Sequence, residues 1–210
     1  MHEVPTDSSE TQGLLRQIRA GNRQACEQLF ARHQAYLRRL VELRLDPRLR
    51  SRVDPSDIVQ EAYLEALNRL EAYLDRPALP FRLWLRQIAV DRALKALRHH
   101  LGTARRALGR ELPLPEESSL VLARQLLAGG STPSERLDHR ELARRLRQAV
   151  AQLPEADREV VMMRHFEGLS NREVACLLGI DPAAASKRHG RAMLRLHRIL
   201  FEGGLTESQL

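Results

Sequence analysis

The sequence predicts an all-α protein of two small helical domains joined by a linker, the second a helix-turn-helix without a wing. Three observations carry this. Apolar residues recur at spacings of three and four almost throughout, with no period-two alternation around Gly-containing hairpin turns. Capping residues stand where the stripes begin, and Gly or Pro where they end. Between residues 101 and 131 the pattern loosens into a stretch containing PLPEESS and AGGSTPS, then resumes, which separates two lobes.

After a polar tail (residues 1–12) a short helix carries Leu14, Leu15 and Ile18 and stops at Gly21-Asn22. Asn22 caps a second helix whose stripe is Cys26, Leu29, Phe30, His33, Leu37, Leu40 and Val41, with His33 at the core edge. Asp54-Pro55-Ser56-Asp57 opens a third: Asp54 is a good N-cap, Pro55 suits the first turn, and Asp57 favours the positive end of the dipole. Its core face is Val59, Tyr63, Ala66, Leu67 and Leu70. A loop with Asp75, Pro77 and Pro80 leads to a fourth helix from about Arg82 to His100, burying Trp84, Ile88, Leu94 and Leu97. Residues 13–100 thus form the first lobe.

The linker is expected to hold one short helix from Ser119 to Ala128. Thr132-Pro133-Ser134-Glu135 is a capping box with Pro at the first helical position, so the second lobe, residues 132–203, starts there with the stripe Leu142, Leu146, Val150, Leu153. Pro154 opens another helix, which Gly168 ends. Ser170-Asn171-Arg172-Glu173 is a second capping box, Gly179 makes a tight turn after Leu178, Ile180 plugs the space between helices, and Asp181-Pro182 starts the last helix. A two-turn helix, a Gly turn and a capped longer helix are the grammar of a helix-turn-helix.

Charge then points to a ligand. The 210 residues hold 34 Lys and Arg against 27 acids, a pI near 10.3, and the 43% hydrophobic share excludes general disorder. From Asp181 to Leu200 the bases Lys187, Arg188, Arg191, Arg195 and Arg198 face the single acid Asp181. Ser186, Lys187, Arg188, Arg191 and Arg195 are the candidates for DNA, because Arg matches guanine edges and both cations bind phosphate. A solvated basic face on a terminal helix is the bland alternative. The distant cysteines Cys26 and Cys176 suggest neither a disulfide framework nor a zinc site, no metal or other cofactor is called for, and a reducing cytoplasm is expected. Cys26 falls on its helix's apolar stripe and Cys176 off its own. The polar N-terminus has no signal-peptide pattern, and no apolar run reaches the ~18 residues of a membrane span. No phosphate-binding glycine loop, metal-protease motif or nucleophile with a neighbouring base is present, so no catalytic residue is expected and the chain is read as a non-enzyme.

With these residues in place, the sequence resembles the extracytoplasmic-function (ECF) class of RNA polymerase sigma factors. LPEADREVVMMRHFEGLSNREVACLLGIDPAAASKRHGRAMLRLHRIL is similar to that class's C-terminal domain, which reads the minus-thirty-five promoter element. DPSDIVQEAYLEAL resembles the helix that grips the clamp coiled coil of the polymerase largest subunit, which implies Asp57, Gln60 and Glu61 as polymerase-binding positions. FRLWLRQIAVDRALKALRHH resembles the helix that melts and reads the minus-ten element, which implies Arg86, Lys95 and Arg98 as DNA contacts. The loop from about Glu71 to Pro80 resembles the family's base-capturing loop, with Tyr73 and Phe81 the nearest aromatics for an unstacked base. The implied partners are core RNA polymerase, including the flap of its second-largest subunit, promoter DNA, and an anti-sigma factor.

The sequence departs from the family at Asp91 and Lys95, where an Asn and then an Asp are usual, and at Ala185, His189 and Gly190 in the recognition helix. A stand-alone helix-turn-helix regulator and a sigma-like interaction protein without initiation activity are the rival readings.

Overall fold

A computed structural model describes residues 6–45, 53–101, 114–127 and 139–202. The capping box at Thr132–Glu135 and the AGGSTPS stretch lie outside the described residues. Within them the chain is helical and divides into two compact units.

The first unit holds α1 (Ser9–Arg19), α2 (Arg23–Arg44), α3 (Pro55–Asp75) and α4 (Phe81–Leu101). The caps expected from sequence form. Asn22 Oδ1 accepts from the amides of Gln24 at 3.0 Å and Ala25 at 3.3 Å, and Asp54 Oδ1 accepts from Ser56 N at 2.7 Å, satisfying donors that a helix start leaves orphaned. Leu29, Leu37, Leu40, Val41, Ile58, Ala62, Ala66, Phe81, Leu85 and Ala89 make the core, where each large side chain contributes about 1.5–3 kcal/mol by leaving water. His33 is buried against the Phe81 ring, 5.4 Å between centroids, and desolvation lowers its pKa.

Three expectations for this unit are corrected. Leu67 and Leu94 are 46% and 45% exposed. On α3 the inward face is turned toward Ile58 and Ala62, and on α4 toward Leu83 and Ala93, which carries the two leucines past the core edge. Cys26 is only partly buried, at the stripe's margin. The tail is also shorter than expected. Ser8 caps α1 by accepting from Thr11 N, and the residue before it, Asp7, reaches across the unit to accept from the amides of Phe81 at 2.7 Å and Arg82 at 3.3 Å.

The second unit holds α5 (Glu116–Leu127), α6 (His139–Gln152), α7 (Glu155–Val161), α8 (Asn171–Leu178) and α9 (Pro182–Glu202). α5 packs on α6, with Leu122, Ala123 and Ser119 buried, so part of the expected linker belongs to the packed second unit. α7 runs on into a π-helical turn, Met162–Phe166, in which Glu167 N donates to Met162 O five residues back. The wider turn lets Met162, Met163 and Phe166 all face the core. α8 starts with a complete capping box: Ser170 Oγ accepts from Glu173 N, and Glu173 Oε2 accepts from Ser170 N at 2.7 Å. It ends at Gly179, whose φ of +63° is open to glycine without strain and lets Ile180 N return to Ala175 O at 3.1 Å.

Candidate nucleic-acid interface

Asp181 Oδ1 accepts from Ala184 N at 2.9 Å, capping α9. The inner stripe of α9 is Ala185, Ala192, Leu196 and Leu200, all buried. The opposite face leaves Ser186, Lys187, Arg191 and Arg195 exposed, with Arg188 partly buried at the margin. Gly190 faces outward, with open space where a side chain would stand. Ala185 is fully buried, so the small residue suits a close contact rather than loosening the helix.

Three side-chain contacts brace α9. Asn171 Nδ2 donates to Pro182 O at 2.7 Å, tying the start of α8 to the start of α9. Arg195 forms an ion pair with the largely buried Asp157 of α7. His189 lies on His165 of the π turn, ring centroids 5.1 Å apart and planes 26° apart, with Nε2 to Nε2 at 2.9 Å. Burial first, then His189 and Arg164, hold His165 down to a pKa of about 4, and burial with Arg164 also lowers His189. At neutral pH both rings are uncharged, and one Nε2–H donates to the other Nε2.

α4 treats its cations differently. Arg86 is 5% exposed, so its expected role as a DNA contact is corrected: α4 turns it inward beside Leu85 and Ala89. Arg92 is ion-paired to Glu65 and lies 3.7 Å from Glu61. The Arg82 guanidinium sits over the Tyr36 ring, 5.2 Å from its centroid. Lys95 and Arg98 remain exposed on one face.

The aromatics expected to receive an unstacked base are also corrected. Phe81 is fully buried, with edge contacts to Phe30 at 6.0 Å and Tyr73 at 5.7 Å. Tyr73 is 6% exposed, stacks on the partly buried Trp84 at 4.5 Å, and donates its hydroxyl to Leu79 O at 3.0 Å; desolvation pushes its phenol pKa up. Neither ring offers a free face. What lies open beside them is a cleft of about 420 Å³ between α1 and the α3–α4 loop, lined by Thr6, Gln12, Arg16, Arg19, Leu79 and Pro80 among others.

α3 presents a third surface. Asp57, Gln60 and Glu61 are exposed, and at the following helical positions so are Leu64 at 63% and Leu67. Sequence reasoning missed Asp7, Asp157, Asn171 and His165. Of these, only Asn171 and His165 carried a signal, being polar residues next to the turns of the helix-turn-helix.

Two family models match the chain: Sigma-70 region 2 over residues 29–102, and Sigma-70, region 4 over residues 143–196. The sequence is 30% identical over 192 residues to RNA polymerase sigma factor CarQ of Myxococcus xanthus, covering 90% of this chain and 96% of that one. Relatives 27% identical carry the ECF designation in their names. The chain belongs to the ECF sigma factors.

This sigma factor is also 34% identical over 146 residues to the probable RNA polymerase sigma factor RfaY of Xanthomonas campestris; the match takes in 70% of this chain but about a third (34%) of that protein's length. Among solved structures it is similar to CnrH in complex with the cytosolic domain of CnrY, with a TM-score of 0.57, 27% identity, and coverage of 92% of this chain and 99% of that one. As a sigma factor it directs transcription initiation by RNA polymerase at promoter DNA. Its region 2 match spans most of α2 with α3 and α4, and its region 4 match spans most of α6 and runs into α9. No helix among the described residues is long and apolar enough to cross a membrane.

Proposed function

We propose that residues 13–100 bind core polymerase and hold the opened minus-ten strand, while residues 132–203 anchor the upstream minus-thirty-five element. The observation that carries the upstream role is the outward face of α9, where Ser186, Lys187 and Arg191 stand exposed on a helix braced at both ends. A helix held in this way can enter a major groove with its cations aimed at bases and phosphates. Arg188 joins them from the margin. Arg195 serves chiefly as a brace through Asp157.

On the first unit, Lys95 and Arg98 are the cations for the opened strand, and the cleft beside the α3–α4 loop replaces Tyr73 and Phe81 as the place for an unstacked base. Its volume exceeds that of a nucleobase, and its arginines suit a phosphate. The polymerase surface is the α3 face of Asp57, Gln60 and Glu61, extended by Leu64 and Leu67. Exposed leucines beside acids suit a protein partner better than nucleic acid. The chain acts by binding rather than catalysis, in the cytoplasm with the polymerase. The complex formed by the similar CnrH supports a further protein partner of the anti-sigma kind.

Runoff transcription with purified core polymerase tests this reading. Promoter-specific transcripts are expected only when the chain is added, and charge reversal at Asp57 with Glu61 is expected to abolish core binding and transcripts together. Stable core binding without initiation at any promoter would favour a sigma-like interaction protein, and tight duplex binding by the chain alone would favour a stand-alone regulator.

A further inference from the structure

The helix that follows the α3–α4 loop begins without a cap of its own. Pro80 occupies the capping position, and its side chain has no acceptor for the amides at the start of α4. The carboxylate of Asp7 supplies it instead, from 74 residues away in sequence, with one oxygen on Phe81 N and the other on Arg82 N. A carboxylate there meets the positive end of the helix dipole and makes charge-assisted bonds. Asp7 is itself held, since Gln12 Nε2 of α1 donates to its carbonyl at 3.0 Å. At the other end of the loop Arg19 Nη2 of α1 donates to Leu74 O at 2.6 Å. Between these two anchors the Tyr73 hydroxyl is bonded to Leu79 O. The loop is thus pinned at its entry, across its span and at its exit, and two of the three pins come from Asp7 and α1. The same residues, Asp7, Arg19, Tyr73 and Leu79, line the open cleft.

We propose that Asp7 and Arg19 are positioning residues for promoter melting: they fix the α3–α4 loop in the shape that receives the unstacked base, so that the segment before α1 and the end of α1 set minus-ten discrimination without reading a base themselves. This rests on the reading of that loop and cleft as the base-capture site. A loop free to rearrange discriminates less, because it can re-pack around an incorrect base and relieve the misfit that a fixed shape imposes on it, whereas an ordering cost common to all bases cancels from the ratio.

The test is the ratio of open-complex formation rates by the reconstituted holoenzyme on a cognate promoter and on promoters substituted one position at a time in the minus-ten element. A ratio is independent of the fraction of folded protein, so a merely structural role leaves it unchanged. Asp7→Ala and, separately, Arg19→Met are expected to compress the ratio by about tenfold, within the range that one mismatched base pair is worth in a specific site. Asp7→Asn, which keeps an acceptor at the cap, is expected to restore most of it. Ala78→Glu, in the loop itself, is the control for the underlying reading. If Ala78→Glu compresses the ratio while Asp7→Ala and Arg19→Met do not, the positioning role is overturned and the base-capture reading stands. If none of the three changes it, both are overturned.

Discussion

In the sequence α4 and α9 are near twins, each 21 residues long with five basic side chains, yet the fold makes different objects of them. α4 lies against both α2 and α3 and buries Phe81, Leu83, Leu85, Arg86, Ile88, Ala89, Ala93 and Leu97, spread around most of its circumference. Arg86 is consumed by that packing and Arg92 by Glu65 and Glu61. α9 buries one stripe of Ala185, Ala192, Leu196 and Leu200, and leaves its opposite face free for a ligand. The net charge of a helix is a property of its sequence. The charge it offers to DNA is a property of how many of its faces are packed.

The largest expected effect tests whether the aromatics of α4 are core or ligand surface. Phe81→Ala is expected to cost about 3–5 kcal/mol of stability, as deletion of a buried ring does. Urea unfolding checks it, and an unchanged midpoint would return Phe81 to the list of base-stacking candidates. Next comes the contrast between buried and exposed arginine. Arg191→Ala is expected to weaken holoenzyme affinity for the upstream element by about 1–3 kcal/mol, and Lys187→Ala to reduce the salt slope of binding by about 1 if it meets a phosphate. Arg86→Ala is expected instead to lower the unfolding midpoint and leave the salt slope alone. Equal salt slopes for Arg86→Ala and Lys187→Ala would erase the difference between the two helices.

Smaller effects concern the bracing of α9. His165 is held near pKa 4 in the folded unit against 6.5 for an ordinary histidine, so on acidification the unfolded chain takes up its proton first. The stability of the neutral His165–His189 pair is complete above pH 6.5 and is lost progressively as the pH falls toward 4. Thermal melts across that window are expected to slope downward, and His165→Leu to flatten the slope. The smallest effect is a gain. Gly190→Ala, at a helical site with open space for a methyl group, is expected to stabilise α9 by up to ~1 kcal/mol. A loss there would mean that the outward face of α9 is packed after all.

What was legible in the sequence follows the range of the interactions. Asn22, Asp54, Ser170 and Gly179 act within four residues of themselves, and all were readable as caps and turns. The apolar period located every helix of the first unit, but it could not separate Leu67 and Leu94, at the rim of a stripe, from residues one turn inside it. The extent of α5 packing was hidden in a stretch whose Pro and Ser read as linker. Asp7 is the furthest case. Nothing in its own neighbourhood marks it, and the only hint is a missing acceptor at Pro80, which says that α4 needs a cap without saying where the cap comes from. The candidate site was misread for a related reason. Tyr73 and Phe81 border the α3–α4 loop in sequence, but the start of α4 turns Phe81 into the core and carries Tyr73 with it.

Footprinting of the open promoter complex, with the paired variants Lys187→Ala/Arg191→Ala and Lys95→Ala/Arg98→Ala, tests the division of labour most directly. The first pair is expected to lose protection around the minus-thirty-five element while keeping the opened minus-ten region, and the second pair to do the reverse. Loss of both regions in either pair, or of the minus-ten region alone in the α9 pair, would contradict the assignment of one promoter element to each basic helix.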